Sequence, residues 1–212
     1  MARRLQAMRT RGYEAGFDLT LLPARLNAPK SYRRPTVFFV NSMSDLFHKR
    51  VPDYYIERVV NVMAETPQHT YQLLTKRAER MRSFFSTRTV PTNVWLGVSV
   101  EDRQRGLVRI PAIVDIDAAI RFISIEPLLE DIGEFDLRGI HWAIVGGESG
   151  AGARPMREEW VENVYRQCKA QGVAFFFKKW GVWGVDGVRR SKKSNGRLFR
   201  GASWDERPAV SA

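Results

Sequence analysis

The sequence has little material for metal or disulfide chemistry. It contains one cysteine, Cys168, among 212 residues, so one chain has no internal disulfide and no metal site built from several of its own cysteines. Its three histidines, His48, His69 and His141, show no metal-ligand spacing. A single cysteine fits a reducing compartment, and we expect a cytoplasmic protein.

Long apolar runs and the common nucleotide loops are also missing. The basic N-terminus is not followed by an apolar stretch of the kind found in signal peptides, and no run approaches the length of a membrane span. No Gly-Lys-Ser/Thr ending of a phosphate loop and no Gly-x-Gly-x-x-Gly after a strand is present. We therefore expect no membrane partner.

Acidic residues are scarce relative to basic ones. The formal net charge is +11 and the sequence pI is about 10.2, which favours a polyanionic partner such as nucleic acid. Much of the excess lies at the two ends of the chain, and solvated charged ends explain it equally well. These basic residues are Arg3, Arg4, Arg9, Arg11, Arg189, Arg190, Lys192, Lys193, Arg197 and Arg200.

Short apolar runs alternate with segments of helical spacing. The runs predict six strands buried on both faces, at 36–40, 70–74, 93–98, 119–125, 140–145 and 173–177. Helices are predicted at 53–65, 78–86, 103–114 and 157–171, the third broken by Pro111. This alternation predicts an open, partial parallel β/α barrel over residues 1–180, followed by an irregular basic C-terminal tail, 181–212.

Polar residues follow each predicted strand. Three of the strands are followed by an acidic residue: Glu101, Glu126 and Glu148. Helix capping does not explain this repetition. Since parallel strands bring their carboxyl ends to one edge, we expect these carboxylates in one crevice. The counter-charges at neighbouring strand ends are Lys76, Lys178 and Lys179. This pattern favours a polar ligand pocket, with a purely structural ring of ion pairs as the alternative.

Two further features have both a functional and a structural interpretation. The glycines of the stretch 146–150 let backbone N–H groups approach a ligand, or they form a tight turn. Trp180, Trp183 and Trp204 either stack on bases or pack over the end of the barrel. The sequence leaves both choices open.

Six segments together resemble one protein family. They are FVNSMSDLF (39–47), QLLTKR (72–77), VWLGVSVE (94–101), SIEPLL (124–129), VGGESG (145–150) and FKKWG (177–181). In this order they are similar to the phage-type three-cysteine-motif family, whose members occur in bacteriophages, prophages and bacteria. That family resembles radical S-adenosylmethionine enzymes, because three cysteines after its first barrel strand could hold a [4Fe–4S] cluster.

The resemblance implies a chain that lacks the cysteine cluster and the first strand. Met1 is similar to an internal methionine of the family, so we expect the missing cluster to be encoded directly upstream. Without three thiolates, reductive cleavage of S-adenosylmethionine is not expected from this polypeptide alone. The strand at 36–40 then lies at an edge of the sheet, which favours dimerisation or a partner protein that completes the barrel.

The resemblance also implies roles for individual residues. Asn41, Ser42 and Asp45 are expected near the amino-acid end of S-adenosylmethionine, and Ser99, Glu101 and Glu126 around its ribose. Gly146, Gly147 and Glu148 are expected on the adenine side or against the substrate, with Lys178 facing the centre. Glu126, Glu148 and Lys178 are the candidate catalytic residues.

An interpretation from a different class remains open beside this one. The chain is then a non-catalytic nucleic-acid-binding protein that uses its basic tail and the tryptophans within it.

Overall fold

The architecture is an open half-barrel of parallel strands. A computed structural model describes residues 6–8, 14–16, 18–41 and 44–209. The strands are β1 (Val37–Val40), β2 (Thr70–Thr75), β3 (Val94–Ser99), β4 (Ile120–Ile125), β5 (Trp142–Gly146) and β6 (Ala174–Lys179). They stand in the sheet in chain order, and each neighbouring pair is parallel. The predicted fold class, a partial parallel β/α barrel with about six strands, is confirmed.

Helices connect the strands where the apolar spacing predicts them. They are α1 (Asp53–Ala64), α2 (Ala78–Phe85), α3 (Ile110–Val114), α4 (Glu158–Ala170) and a short α5 (Lys192–Asn195), with 3₁₀ turns at Pro23–Arg25, Ala28–Ser31 and Leu107–Arg109. The predicted break at Pro111 is wrong. Pro111 lies in the first turn of α3, where its missing N–H costs no hydrogen bond, and the preceding residues form the 3₁₀ turn.

The two faces of the sheet carry separate apolar clusters. The larger one joins helix residues such as Ile56 and Val161 to strand residues such as Leu96 and Val145. Its member Cys168 is fully buried on α4, and burial raises the pKa of its thiol to about 12. The smaller cluster contains only strand residues, so it marks the inner, concave face: Trp95, Ile120, Phe122, Trp142 and Ile144.

Strand β1 departs from the prediction that every strand is buried on both faces. Phe38 and Val40 pack against the outer core, whereas Val37 and Phe39 are 51% and 46% exposed. The reason is position: β1 is the first strand in the sheet order and pairs only with β2 among the named strands. Its apolar composition therefore reflects burial of one face.

The opposite edge, at β6, is covered by the C-terminal tail. Asp205 forms an antiparallel bridge with Phe176, and the N–H of Phe177 donates to the carbonyl of Trp204 at 2.9 Å. Phe199 is buried in the outer core. The tail keeps mostly irregular backbone, yet part of it completes the hydrogen bonding of β6 and belongs to the packed structure.

None of the helices among the described residues combines the length and the apolar character needed to cross a bilayer.

Adjacent residues in the tail allow a direct test of its contribution to stability. Phe199→Ala should lower the free energy of unfolding by about 3–5 kcal/mol, because it leaves a cavity in the core. Leu198→Ala should change it by less than about 0.5 kcal/mol, since the Leu198 side chain is 59% exposed. Urea denaturation measures both values. Equal effects of the two substitutions would contradict the packing of the tail.

Candidate functional site

The six strands end along one edge of the sheet, which we call the carboxyl edge. It includes Asp45 after β1, Lys76 and Arg77 after β2, Glu101 after β3, Glu126 after β4, and Glu148 after β5, with Lys178 and Lys179 at the end of β6. Because all neighbouring strands are parallel, side chains distant in sequence meet here. Ion pairs between residues of different strands show how closely they approach.

Glu101 is the most enclosed carboxylate of this edge. One oxygen accepts from Lys76 Nζ and the other from Arg109 Nη1, each at 2.7 Å. Arg109 also donates to the carbonyl of Ser99 at 2.6 Å. Burial raises the pKa of Glu101, but the hydrogen bonds from Lys76 and Arg109 outweigh it, so the net shift is downward. The group therefore stays ionised at neutral pH.

Glu126 forms a similar group with both lysines of β6. Lys178 Nζ lies 2.9 Å from Oε2 and Lys179 Nζ lies 2.7 Å from Oε1. The Glu126 side chain passes over Gly146, since a Cβ built on that glycine would lie 3.4 Å from the carboxyl carbon. Burial raises the pKa of Glu126, and the bonds from Lys179 and Lys178 together lower it below its ordinary value. The predicted meeting of Glu126 with these lysines is thus present.

Asp45 organises the first part of the carboxyl edge. Its Oδ1 accepts from Thr75 Oγ1 at 2.8 Å, and its Oδ2 pairs with Arg77 Nη1 at 2.6 Å. Asn41, which directly follows β1, has a φ of 56°, a left-handed conformation that asparagine tolerates better than most residues. Ser42, predicted beside them, lies outside the described residues.

Glu148 pairs with a residue of its own loop. Arg154 donates to it from Nε, from Nη2 and from its backbone N–H, each at 2.9 Å. The bond from the Arg154 side chain, the largest influence, lowers the pKa of Glu148. Lys76, Lys178 and Lys179 are paired with other carboxylates, so this loop forms a separate ion pair.

The glycines after β5 serve close contacts within the chain. A Cβ on Gly147 would lie 1.8 Å from the carbonyl oxygen of Trp180, and one on Gly181 would lie 2.2 Å from that of Glu148. The two backbones pass each other at this point, where Val182 N–H donates to the carbonyl of Glu148 at 3.1 Å. The crossing of two backbones thus accounts for Gly147, and it is neither the ligand approach nor the tight turn considered from the sequence. The ligand-approach role of Gly146 stays a prediction.

On the inner face of the sheet, the side chains become smaller toward the carboxyl edge. The ring of Phe122 lies over Gly97, within 2.2 Å of where a Cβ would stand. Two residues further along β3 and β4, Ser99 and Ser124 are register partners. Both serines are buried and place hydroxyl groups between the aromatic layer and the ion pairs.

A cavity of about 970 Å³ lies elsewhere in the fold. Its walls come from the segment preceding β1, from β1 itself and from α1, and they include Leu21, Phe38 and Tyr55. Asn41 and Asp45 line it, whereas Glu101, Glu126, Glu148 and Lys178 do not. The predicted site residues are therefore divided between this cavity and the rest of the carboxyl edge.

The described residues contain no group of three His, Cys, Asp or Glu side chains able to hold a metal ion. Cys168, the single cysteine of the sequence, is buried on α4 in the outer core. A [4Fe–4S] cluster needs several thiolates, so the residues of this chain do not fit that cofactor.

The tryptophans of the tail are held by packing and hydrogen bonds. Trp180 is buried and its Nε1 donates to the carbonyl of Leu198. Trp183 donates to Ala153 and Trp204 donates to Phe199. Hydrogen bonds to backbone carbonyls of the chain thus occupy all three indole N–H groups.

Two basic residues of the site could not be identified from the strand ends alone, whereas a third, Arg77, directly follows Lys76 at the end of β2. Arg77, Arg109 and Arg154 each pair with a carboxylate, yet Arg109 and Arg154 stand several residues after a strand. The strand ends gave no signal for Arg109 and Arg154, because the three predicted carboxylates were already matched by three predicted lysines.

Almost the whole chain is similar to a known protein family. The model of a family described as "Protein of unknown function (DUF5131)" matches residues 1–208. No curated protein and no solved structure matches the chain.

The lowered pKa of Glu126 makes stability depend on pH. A carboxylate whose pKa is lower in the folded state stabilises it above the unfolded pKa, about 4.3, and this contribution disappears as the pH falls through the folded pKa. Glu126→Gln should cost on the order of 1–3 kcal/mol at neutral pH, and the difference from wild type should shrink below about pH 4. Urea denaturation across pH measures it.

Glu134 provides the matched control because its side chain is exposed. Glu134→Gln removes an exposed carboxylate and should change the free energy of unfolding at neutral pH by less than about 0.5 kcal/mol. A Glu126→Gln deficit that stays constant down to the lowest pH would contradict the assigned ion pairs.

Proposed function

The chain belongs to the DUF5131 family of proteins of unknown function, and we propose that this half-barrel binds S-adenosylmethionine at the carboxyl edge of its sheet. The carrying observation is that side chains of both charges meet there across different strands, as in Lys76 with Glu101 and Lys178 with Glu126. Ligands of parallel β/α folds bind at this end of the strands.

The polar and charged groups of the carboxyl edge match the functional groups of this ligand. S-adenosylmethionine carries an ammonium group, a carboxylate and ribose hydroxyls, and the edge offers both acceptors and cations for them. The proposal takes the ligand from the resemblance to the phage-type three-cysteine-motif family and its radical S-adenosylmethionine relatives. Asn41, Ser42 and Asp45 would receive the amino-acid end, and Ser99, Glu101 and Glu126 the ribose.

The remaining roles follow the same assignment. Gly146, Gly147 and Glu148 would border the adenine or the substrate, while Glu126, Glu148 and Lys178 are the groups able to hold or move a proton there. A bound iron–sulfur cluster would supply electrons for cleavage of the cofactor, and this chain's single cysteine cannot hold one. We therefore propose binding without radical chemistry for this polypeptide alone.

A second candidate is a nucleic-acid-binding protein that uses the tail. It is favoured by the exposed side chains of Lys192 and Lys193 and by the net charge of +11. Base stacking by the tail tryptophans receives no support from their packing, since Trp180 is buried in the core. Phosphate contacts by the lysines would then supply most of the affinity.

Isothermal titration with S-adenosylmethionine tests the first proposal. The wild-type chain should bind it, and Glu126→Gln and Glu148→Ala should each weaken binding by about tenfold or more, because each removes a charged acceptor. Glu134→Ala, at an exposed position, should leave the affinity unchanged.

Circular dichroism of each variant separates loss of binding from loss of fold. A wild-type protein that is folded and gives no binding would overturn the proposal. If Glu126→Gln and Glu148→Ala both bind S-adenosylmethionine with the wild-type affinity, the ligand does not bind at this edge.

A further inference from the structure

Glu101 lies between one shielded cation and one exposed cation. The Arg109 side chain is 13% exposed and the Lys76 side chain is 55% exposed, and each donates to a different oxygen of the carboxylate. Arg109 is further fixed by its bond to the carbonyl of Ser99. Arg109 therefore suffices to neutralise Glu101, and Lys76 is an additional charge that faces solvent.

Glu126 repeats this arrangement on the other side of the crevice. Its shielded partner is Lys179, 24% exposed, and its exposed partner is Lys178, 50% exposed. An ammonium group has three N–H donors, and Lys178 uses one of them on Glu126. The remaining donors of Lys76 and Lys178 are available to a ligand.

The charge balance of the whole edge supports a surplus of positive charge. The pairs Asp45–Arg77 and Glu148–Arg154 match one base to one acid. In total the ion-pair network contains six basic side chains, Lys76, Arg77, Arg109, Arg154, Lys178 and Lys179, and four carboxylates, Asp45, Glu101, Glu126 and Glu148. The surplus lies on the two exposed lysines.

A nearby carboxylate does not cancel this surplus. Asp102 Oδ1 accepts from the backbone N–H groups of Arg105 and Gly106. The same turn carries the exposed side chains of Arg103 and Arg105. The backbone N–H of Arg103 donates to Glu130, and its guanidinium lies 3.8 Å from Asp131. These three carboxylates and two arginines reduce the surplus of two positive charges by one and do not remove it.

The positions of the two lysines in the sheet suit an anion that carries more than one phosphate. Lys76 follows β2 and Lys178 lies on β6, four strand positions away in the sheet. With neighbouring strands about 4.8 Å apart, that is roughly 19 Å measured along the sheet. The two lysines thus stand on well-separated strands of one edge, and successive phosphates of a nucleic-acid strand can contact both.

An exposed aromatic ring lies on the same concave face. Phe39 is 46% exposed and projects from β1 on the side opposite the outer core. Single-stranded nucleic acids bind by stacking unpaired bases on aromatic rings while cations track the backbone. A paired duplex has no free base to offer this ring.

We propose that the carboxyl edge binds single-stranded nucleic acid, with phosphates on Lys76 and Lys178 and a base on Phe39. The inference rests on the proposed function in that it assigns the substrate class of the same crevice. It differs from the second candidate because the contacts lie on the sheet edge and its concave face.

Fluorescence anisotropy with a labelled single-stranded oligothymidylate of about twelve nucleotides tests this assignment. The logarithm of the binding constant falls linearly with the logarithm of salt concentration, with a slope of about 0.7 for each phosphate contact. Lys76→Gln and Lys178→Gln should each reduce the slope by about 0.7, and the double variant by about 1.4. Phe39→Ala should weaken binding about tenfold and leave the slope unchanged.

Lys192→Gln and Lys193→Gln are the matched controls, because they remove the same charge from the tail. They should leave the slope unchanged. If Lys192→Gln and Lys193→Gln reduce the salt slope while Lys76→Gln and Lys178→Gln leave it unchanged, the nucleic acid binds the tail and the inference is wrong. Equal binding of duplex DNA, or competition by inorganic phosphate at the same phosphate concentration, would also overturn it.

Titration of the same proteins with S-adenosylmethionine separates this inference from the proposed function. If the oligonucleotide binds through both lysines and S-adenosylmethionine does not bind, the nucleic-acid site stands and the proposed function is wrong. If S-adenosylmethionine binds and the oligonucleotide does not, the proposed function stands and the nucleic-acid inference is wrong.

Discussion

Parallel pairing of consecutive strands places the end of every strand at one edge of the sheet. In this chain four of those ends carry a carboxylate, and a cluster of carboxylates out of contact with cations is electrostatically unfavourable. The structure meets this constraint with six basic side chains, several of them from the loops that follow the strands. The polarity of the proposed crevice, its net charge and its pH dependence all derive from this arrangement.

The same topology explains how the two faces of the sheet are used. Helices cover the outer face, and the inner face is filled near its base by Trp95, Phe122 and Trp142. Smaller residues such as Ser99 and Ser124 stand nearer the carboxyl edge. The tail closes the β6 side through backbone bonds, while β1 exposes Val37 and Phe39. An open half-barrel thus has one closed side and one accessible side.

The regular elements were predictable because their signals are local. Runs such as 93–98 and the spacing of Ile56, Val60 and Met63 on α1 depend only on neighbouring residues. The edge position of β1 was expected from the family resemblance, and the structure confirms it. The apolar run alone did not predict the exposure of Phe39, since a continuous run looks the same at an edge and in the middle of a sheet. The choice of Arg109 as partner for Glu101 depends on the path of a loop, which spacing along the chain does not specify.

The candidate site was predictable in part for the same reason. Strand ends identified Glu101, Glu126, Lys76 and Lys178, because parallel order alone brings them to one edge. The contact of Gly147 with Trp180 arises from two backbones that meet only in the folded chain. A glycine there has the same sequence signature whether a ligand or a backbone lies against it.

Lysine acetylation with mass spectrometry, performed with and without single-stranded oligonucleotide, tests the central claim most directly. The claim is that the carboxyl edge neutralises its carboxylates with shielded cations and leaves Lys76 and Lys178 for phosphate. The account predicts that the oligonucleotide protects these two lysines and leaves Lys192 and Lys193 reactive. Protection of Lys192 and Lys193, with Lys76 and Lys178 still fully reactive, would contradict it.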